Sequence, residues 1–327
     1  MPPEEIPQAN VETLVTIFGG SGFLGRHLVR ALCKRGYRIR VGVRRPDLAF
    51  HLQPLGRVGQ VHAVQANLRY PASVAAAVRG ADIVINLVGL LFERGKQRFQ
   101  AVHAEGAGYV AEAAAETGAR MIHVSALGAD PTASAAYART KALAEQAVRA
   151  ATPGATIFRP SIMFGPEDGF FNRFAAIARF SPFLPLIGGG RTRFQPVFVG
   201  DVAQAITQAA AGEARTGVTY ELGGPEVRTF RALMEFILAT TERRRLLVSM
   251  PFAVAEFEAW FLQFLPTPLL TPDQVRLLQV DNVVSEEAKH EGRTLEALGI
   301  EPHSIASIVP SYLWRFRKAG QFRSRPA

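Results

Sequence analysis

Tyr137 and Lys141 stand four residues apart in the segment AYARTKALAEQ, residues 136–146. At that spacing both project from one face of a helix. An ammonium beside a phenol lowers the phenol's pKa, and a tyrosine so tuned donates or accepts a proton while a hydride moves. The same ammonium is suited to bond a ribose hydroxyl. The pair therefore reads as acid–base machinery beside a redox nucleotide.

A second constellation says where such a nucleotide would lie. Residues 14–25 read LVTIFGGSGFLG, placing Gly19, Gly22 and Gly25 directly after an apolar strand and at the opening of a helix. The first glycine permits a turn closed to residues with a Cβ. The second admits a pyrophosphate to the backbone, and the third lets helix and strand pack closely. The helix start then offers unpaired N–H groups and a positive dipole end to the phosphates. Ser21, Phe23 and Leu24 complete the loop as phosphate-side candidates.

The end of the second strand discriminates between dinucleotides. An acidic side chain there would bond a ribose 2′-hydroxyl, but this chain has Gly42-Val43-Arg44-Arg45, with no acid before Asp47. A guanidinium pairs with a 2′-phosphate through charge-assisted bonds that a carboxylate would oppose. NADP(H) is the expected cofactor, solvated surface being the other reading of Arg44 and Arg45. Asn67 and Leu68 at the third strand's end are candidates for the adenine contact. Val88 and Gly89 at the fourth, with Ser125 and Pro160 after the fifth and sixth, are candidates at the nicotinamide end.

These residues need a frame. The chain alternates short apolar runs (14–18, 38–43, 60–64, 83–87, 121–124 and 156–159) with Ala-rich helical patterns at 71–78, 101–117 and 136–150. Such alternation predicts an α/β fold, a Rossmann-type doubly wound parallel sheet covered on both faces. Residues 11–165 are expected to form the NADP(H)-binding domain, with the chain returning to the sheet at 197–224. A smaller, mostly helical C-terminal lobe is expected from 166–196 and 225–320, with tails at 1–10 and 321–327. Helices are expected at 201–211, 230–240, 252–265 and 272–280. Asp201 and the Glu167-Asp168 pair are expected to cap helices.

Composition bounds the rest. The chain has 327 residues, 48% hydrophobic and 20% charged, and net charge +9. The positive charge is nearly all Arg, its strongest clusters being Arg243-Arg244-Arg245 and the tail residues Arg315, Arg317, Lys318, Arg323 and Arg325. Neither cluster is interleaved with a nucleic-acid motif; solvated surface, an anionic membrane or a protein partner remain. The single Cys33 precludes an internal disulfide and reads as a small core residue. Seven scattered His residues lack metal-ligand spacing, so no metal is expected, and His123, in an expected buried strand, reads as a satisfied core histidine rather than a ligand. The acidic, Pro-rich MPPEEIPQAN has no signal-peptide character, and no apolar run approaches the ~20 residues that span a bilayer. Phe257, Trp260, Phe261 and Phe264 share a helical stripe, read first as a core face closing the lobe and second as a docking face.

GGSGFLG, YARTK, Phe158-Arg159-Pro160 and Phe164-Gly165-Pro166 resemble, in that order, the extended and atypical branches of the short-chain dehydrogenase/reductase superfamily over residues 14–225. A narrower resemblance lies in VRRP (43–46), HVSALGA (123–129), RPSIMFGPEDGFFNRFA (159–175), RFQPVFVGDVA (193–203) and LLTPDQVRLLQVDNVV (269–284). These are similar to the NADPH-binding accessory subunit of respiratory complex I and its bacterial relatives. The resemblance implies a tightly held, structural or regulatory NADPH and complex I partners. It places the chain in the cytoplasm, peripheral on the cytoplasmic face of the inner membrane.

Two departures bear on activity. Extended members place a catalytic Ser or Thr two residues past the first Ser after the fifth strand; here that first Ser is Ser125 and the slot holds Leu127. A missing donor to the substrate carbonyl typically costs ~10²–10³ in rate. Nucleotide-sugar epimerases carry Arg and His where this chain has Phe194 and Phe198, which suggests inter-lobe packing or an apolar ligand. Three functions follow: a cofactor-holding accessory or assembly subunit of complex I, an active NADPH-dependent reductase or epimerase using Tyr137 and Lys141, and a redox-sensing binder. The first agrees best with Leu127 and the C-terminal segments.

Overall fold

The computed structural model describes residues 10–266 and 268–318. The expected tails, Asn10 apart, lie outside the described residues, as do Arg323 and Arg325. In chain order the first half comprises β1 (Leu14–Phe18), α1 (Phe23–Lys34), β2 (Arg38–Val43), β3 (Val61–Gln65), α2 (Pro71–Val78) and β4 (Ile83–Asn86). There follow α3 (Gly106–Thr117), β5 (Arg120–Val124), α4 (Ala136–Ala151), β6 (Thr156–Pro160), β7 (Met163–Phe164) and α5 (Phe171–Phe180). Next come β8 (Phe183–Ile187), β9 (Arg193–Phe194), β10 (Val197–Phe198), α6 (Val199–Ala210), β11 (Thr219–Leu222) and β12 (Arg228–Thr229). The chain continues through α7 (Phe230–Thr240), β13 (Leu246–Met250), α8 (Phe252–Leu262) and α9 (Pro272–Leu277).

Seven strands form one parallel sheet in the order β11-β6-β5-β4-β1-β2-β3. A parallel sheet is covered on both faces, so its central strands are apolar throughout; β4 is wholly buried, and β1 is buried from Val15 onward. One face packs Leu24, Leu28 and Leu32 of α1 with Val202 and Ile206 of α6. The other packs the Ala-rich faces of α2, α3 and α4. Alanine on those helices allows close approach, and α3 is stopped by Gly118 in the left-handed region at φ 68°. The sheet is the predicted Rossmann-type α/β architecture. Cys33 sits in its core, where burial pushes the thiol up to about 12.

A separate core holds Phe164, Phe171, Phe194, Phe230, Leu233 and Ile237. Its short strand pairs were not foreseen, the longest being β8 with β13, parallel across Phe183↔Leu246 to Ile187↔Met250. Pro185 lies within β8, and a strand of an isolated pair tolerates proline. Ser161, Ile162 and Leu127 are bound to the C-terminal segment by one side chain. Asn282 Oδ1 accepts from Ser161 Oγ (2.6 Å) and Ile162 N–H (3.1 Å), and its Nδ2 donates to Leu127 O (3.4 Å).

Candidate functional site

At the C-terminal end of β1 the chain turns at Gly19, φ 82°, and Gly22 donates its N–H to Gly19 O at 3.0 Å. Gly22 is the N-cap of α1 in an extended conformation without any side-chain cap, so the first-turn N–H groups have no partner within the helix. A Cβ on Gly25 would fall 2.5 Å from Gly19 O, and one on Gly19 would fall 3.2 Å from Val88 N. The turn thus lies against the chain leaving β4 with no room for side chains. Leu24 buries its side chain in the core, leaving its backbone at the loop, while Ser21 and Phe23 are half-buried beside it.

At the adenosine end, Arg44 and Arg45 emerge exposed just past β2. They are not equivalent. Arg45 is drawn onto Asp47, Nη2 to Oδ2 at 2.6 Å and Nε to Oδ1 at 3.0 Å, whereas Arg44 forms no ion pair with any described residue. Asn67 Oδ1 accepts from Arg69 N–H (3.2 Å), closing a local turn into α2, so only part of its acceptor capacity remains for an adenine amine. Leu68 is buried, where a Cβ on Gly106 would come within 2.9 Å of its own Cβ.

Tyr137 and Lys141 lie on α4, beside the C-terminal ends of β4 and β5. Lys141 is buried and its Nζ donates to Val124 O at 3.1 Å. Burial lowers this ammonium to about 8, against the upward pull of Glu145 one turn on. Tyr137 is half-buried and its ring meets Phe99 and His103 edge-on, at centroid distances of 5.9 and 5.4 Å. The phenol is pushed up to about 12 by burial. This corrects the expected downward tuning by Lys141: desolvation governs the phenol, while the ammonium is held at the Val124 carbonyl.

His103 was not singled out from sequence. It lies on a π-helical stretch, Gln100–Glu105, preceding α3, a widened turn that often marks functional sites. Its Nε2 accepts from Leu90 N–H (2.8 Å), so Nδ1 carries the proton and donates to Thr140 Oγ1 (3.1 Å). Burial, with Lys141 and His123 nearby, lowers it to about 2 and keeps it neutral. It clamps the chain after β4 onto the Tyr137 helix. No local sequence signal announces a π turn.

The arrangement fits a dinucleotide. Ser125 Oγ is buried without a partner among the described residues, Lys141 has two further N–H groups, and the Cβ position of Gly89 lies 3.5 Å from Lys141 Nζ. Val88 donates its N–H to Asn86 Oδ1 (3.0 Å), which fixes that strand end, and Pro160 O accepts from Leu127 N–H (3.1 Å) on the other side. The structure therefore gathers Gly19, Val88 and Gly89 on one side with Ser125, Tyr137 and Lys141 on the other. Leu127 does not join them: it is packed with Val284 and Ala288. Among the described residues no group of three His, Cys, Asp or Glu could hold a metal.

Several expectations change. Asp201 is not a cap but lies in the first turn of α6, buried, accepting from His303 N–H (2.8 Å) and facing His303 Nδ1 (2.7 Å). The N-cap of α5 is Phe170; Asp168, two residues before it, accepts from Phe170 and Asn172 N–H and also takes the Tyr312 hydroxyl at 2.5 Å. Glu167 instead faces Arg26 and His27 on α1. Phe194 is core and Phe198 packs on Phe164 and His303, so the packing reading holds there. The core reading of the aromatic stripe fails: Phe257, Trp260 and Phe264 are 67%, 53% and 71% exposed. It is Ala255 and Ala259, on the opposite side of α8, that pack against Ile187 and Val275.

Comparison with known proteins follows this geometry. Residues 15–223 match the model of the NAD dependent epimerase/dehydratase family. The chain belongs to that family. It is 37% identical over 320 residues (94% of this chain, 79% of the relative) to NADH dehydrogenase [ubiquinone] 1 alpha subcomplex subunit 9, mitochondrial, of Arabidopsis thaliana. It is 40% identical over 190 residues (58% of each chain) to a ceramide reductase of Caulobacter vibrioides. The structure of an NADPH-dependent quinone oxidoreductase of Escherichia coli complexed with NADPH superposes with a TM-score of 0.70 at 19% identity, covering 91% of this chain and 99% of that one. The fold is an NAD(P)-binding one, and the subunit relatives span nearly the whole chain.

Proposed function

We propose that this chain is an NADP(H)-holding accessory or assembly subunit of respiratory complex I (NADH:ubiquinone oxidoreductase), its cofactor serving structure or redox sensing. The observation that carries the reading is a dinucleotide cradle, Gly19 to Gly25 with Lys141 and the unpartnered Ser125, beside a hydroxyl slot given over to core Leu127. Arg44 supports NADP(H) over NAD(H). Residues 11–165 and 197–224 would hold the nucleotide, and 166–196 and 225–320 would meet the partner. Bound NADPH supplies hydride chemistry; in this reading Lys141 and Ser125 hold its ribose and Tyr137 closes the nicotinamide end.

The exposed face of α8 supports the partner reading. Trp260 meets Phe261 and Phe264 edge-on at 4.8 and 5.6 Å, an apolar patch of the sort that marks a protein or membrane contact. No helix among the described residues is long and apolar enough to cross a membrane; the proposed location is peripheral, on the cytoplasmic face of the inner membrane. The test is native gel separation of solubilised membranes carrying Trp260→Ser/Phe264→Ser. Wild-type chain should migrate with complex I and the variant should not; wild-type chain found wholly in the soluble fraction overturns the reading.

The intact Tyr137 and Lys141 favour a second reading, an NADPH-dependent reductase or epimerase. Tyr137→Phe separates the two. A subunit that only holds cofactor keeps its melting temperature and its complex I activity, whereas a reductase loses turnover.

A further inference from the structure

Helix α4 carries Tyr137 in its first turn, and its N-cap, Ala135, has no side chain to close that turn. The closing group comes from far along the chain. Asp273 Oδ1 accepts from Ala136 N–H at 2.6 Å, and Oδ2 accepts from Tyr137 N–H at 3.0 Å. Both carboxylate oxygens are spent on orphan donors at the positive end of a 16-residue helix.

Asp273 is itself firmly placed. It sits in α9, whose start is fixed by a reciprocal cap between Thr271 and Gln274. Gln274 Nε2 also donates to Leu91 O (3.4 Å) beyond β4, and Arg94 Nη1 from that same stretch donates to Pro266 O (3.1 Å). Helix α9 packs on α8 through Val275 against Ala255 and Ala259, with Arg276 Nε 3.6 Å from Glu256. A continuous set of contacts therefore runs from the exposed aromatic helix to the Tyr137 turn.

We propose that Asp273 is a positioning residue that ties the α8–α9 hairpin to the nicotinamide end of the nucleotide site, so that nucleotide occupancy and the state of the aromatic face are linked. This rests on the reading that the chain holds NADP(H). With the cap present, Tyr137 and Lys141 are presented in order. Without it the first turn frays, and the nicotinamide half loses its partners while the Arg44 end is untouched. By reciprocity, a partner that stiffens the hairpin tightens nucleotide binding by the same factor.

The test uses two probes on the full chain, NADPH and adenosine 2′,5′-bisphosphate, which occupies only the adenosine end. Asp273→Ala should weaken NADPH roughly three- to thirty-fold, the span of a lost helix cap, and leave the bisphosphate unchanged. Asp273→Asn, which keeps an acceptor and nearly the same shape, should fall between. Hydrogen exchange should show NADPH slowing residues 252–278 in the wild type and not in Asp273→Ala. Equal weakening of both probes, or none of either, overturns the proposal while leaving NADP(H) binding intact. A wild type that binds neither probe brings down that reading and this inference together.

Discussion

Lys141 Nζ and the carbonyl oxygen of Val124 are 3.1 Å apart, which anchors the charge of the Tyr–Lys pair to the end of β5 rather than to the phenol. The burial this entails has a consequence for stability. Burial lowers the native ammonium to about 8 from an ordinary 10.5. Between those values the unfolded chain holds a proton that the native chain lacks, so stability rises with pH across that window. About two and a half units at ~1.4 kcal/mol each is a gain of about 3.5 kcal/mol. The unfolding free energy of the wild type relative to Lys141→Met should rise between pH 8 and 10, over the opposite trend that the buried Cys33 thiol gives to both chains above pH 9; parallel curves would refute it.

What was legible in the sequence was what is local. The turn at Gly19 to Gly25 and the strand edges of β1 and β2 follow from glycine conformations and apolar runs that neighbours along the chain decide. Asp273 could not be seen as the cap of Tyr137's helix, because the two residues are 136 positions apart and Asp273 reads as first-turn decoration of its own helix. Asp47 was seen only as the first acid after the arginines, not as the partner that occupies Arg45. Helix α8 is apolar on more than one side, and periodicity cannot say which side is buried. The small Ala255 and Ala259 admit close approach by Ile187 and Val275, so that side went inward and the larger aromatic rings went out.

The Arg45–Asp47 pair predicts an unusual gain from removing a charge. Freed of Asp47, Arg45 is available to a 2′-phosphate, and a carboxylate that would repel that phosphate is gone. Exposed pairs are weakly held, so releasing Arg45 sacrifices little. Asp47→Ala should tighten NADPH about two- to five-fold with NADH unchanged, and Arg44→Ala should weaken NADPH selectively. Titration of both nucleotides checks this; an unchanged NADPH/NADH ratio in both variants would exclude these arginines from the site.

His123 predicts sensitivity to acid. The ring is core, but against the expectation of a satisfied histidine both its nitrogens are buried without partners among the described residues, and burial, with Lys141 nearby, lowers the group to about 3 from 6.5. Between those values the unfolded chain binds the extra proton, so stability falls as pH is lowered, by about 1.4 kcal/mol per unit once the unfolded imidazole is charged. His123→Leu removes that proton and two unpaired polar atoms. Urea unfolding at pH 7 and 4.5 should give a smaller difference for the variant than for the wild type. An equal difference would mean that His123 is solvated in the native state.

Leu127 occupies the slot where active relatives in the resembled superfamily carry a hydroxyl, and the simplest attempt to restore that hydroxyl would be Leu127→Ser. The packing argues against success. Leu127 is 7% exposed and lies with Val284 and Ala288, while its carbonyl accepts from Asn282 Nδ2 and its N–H donates to Pro160 O. A serine hydroxyl there would face an apolar contact, and the missing isobutyl group would leave a void between the β5 loop and the 282–288 segment. Truncating a buried leucine costs about 2–5 kcal/mol. Leu127→Ser should therefore lower the unfolding free energy by an amount of that order and give no NADPH oxidation with carbonyl or nucleotide-sugar substrates. Turnover appearing in the variant would place the slot in the site after all, making Leu127 the reason for a latent enzyme's silence.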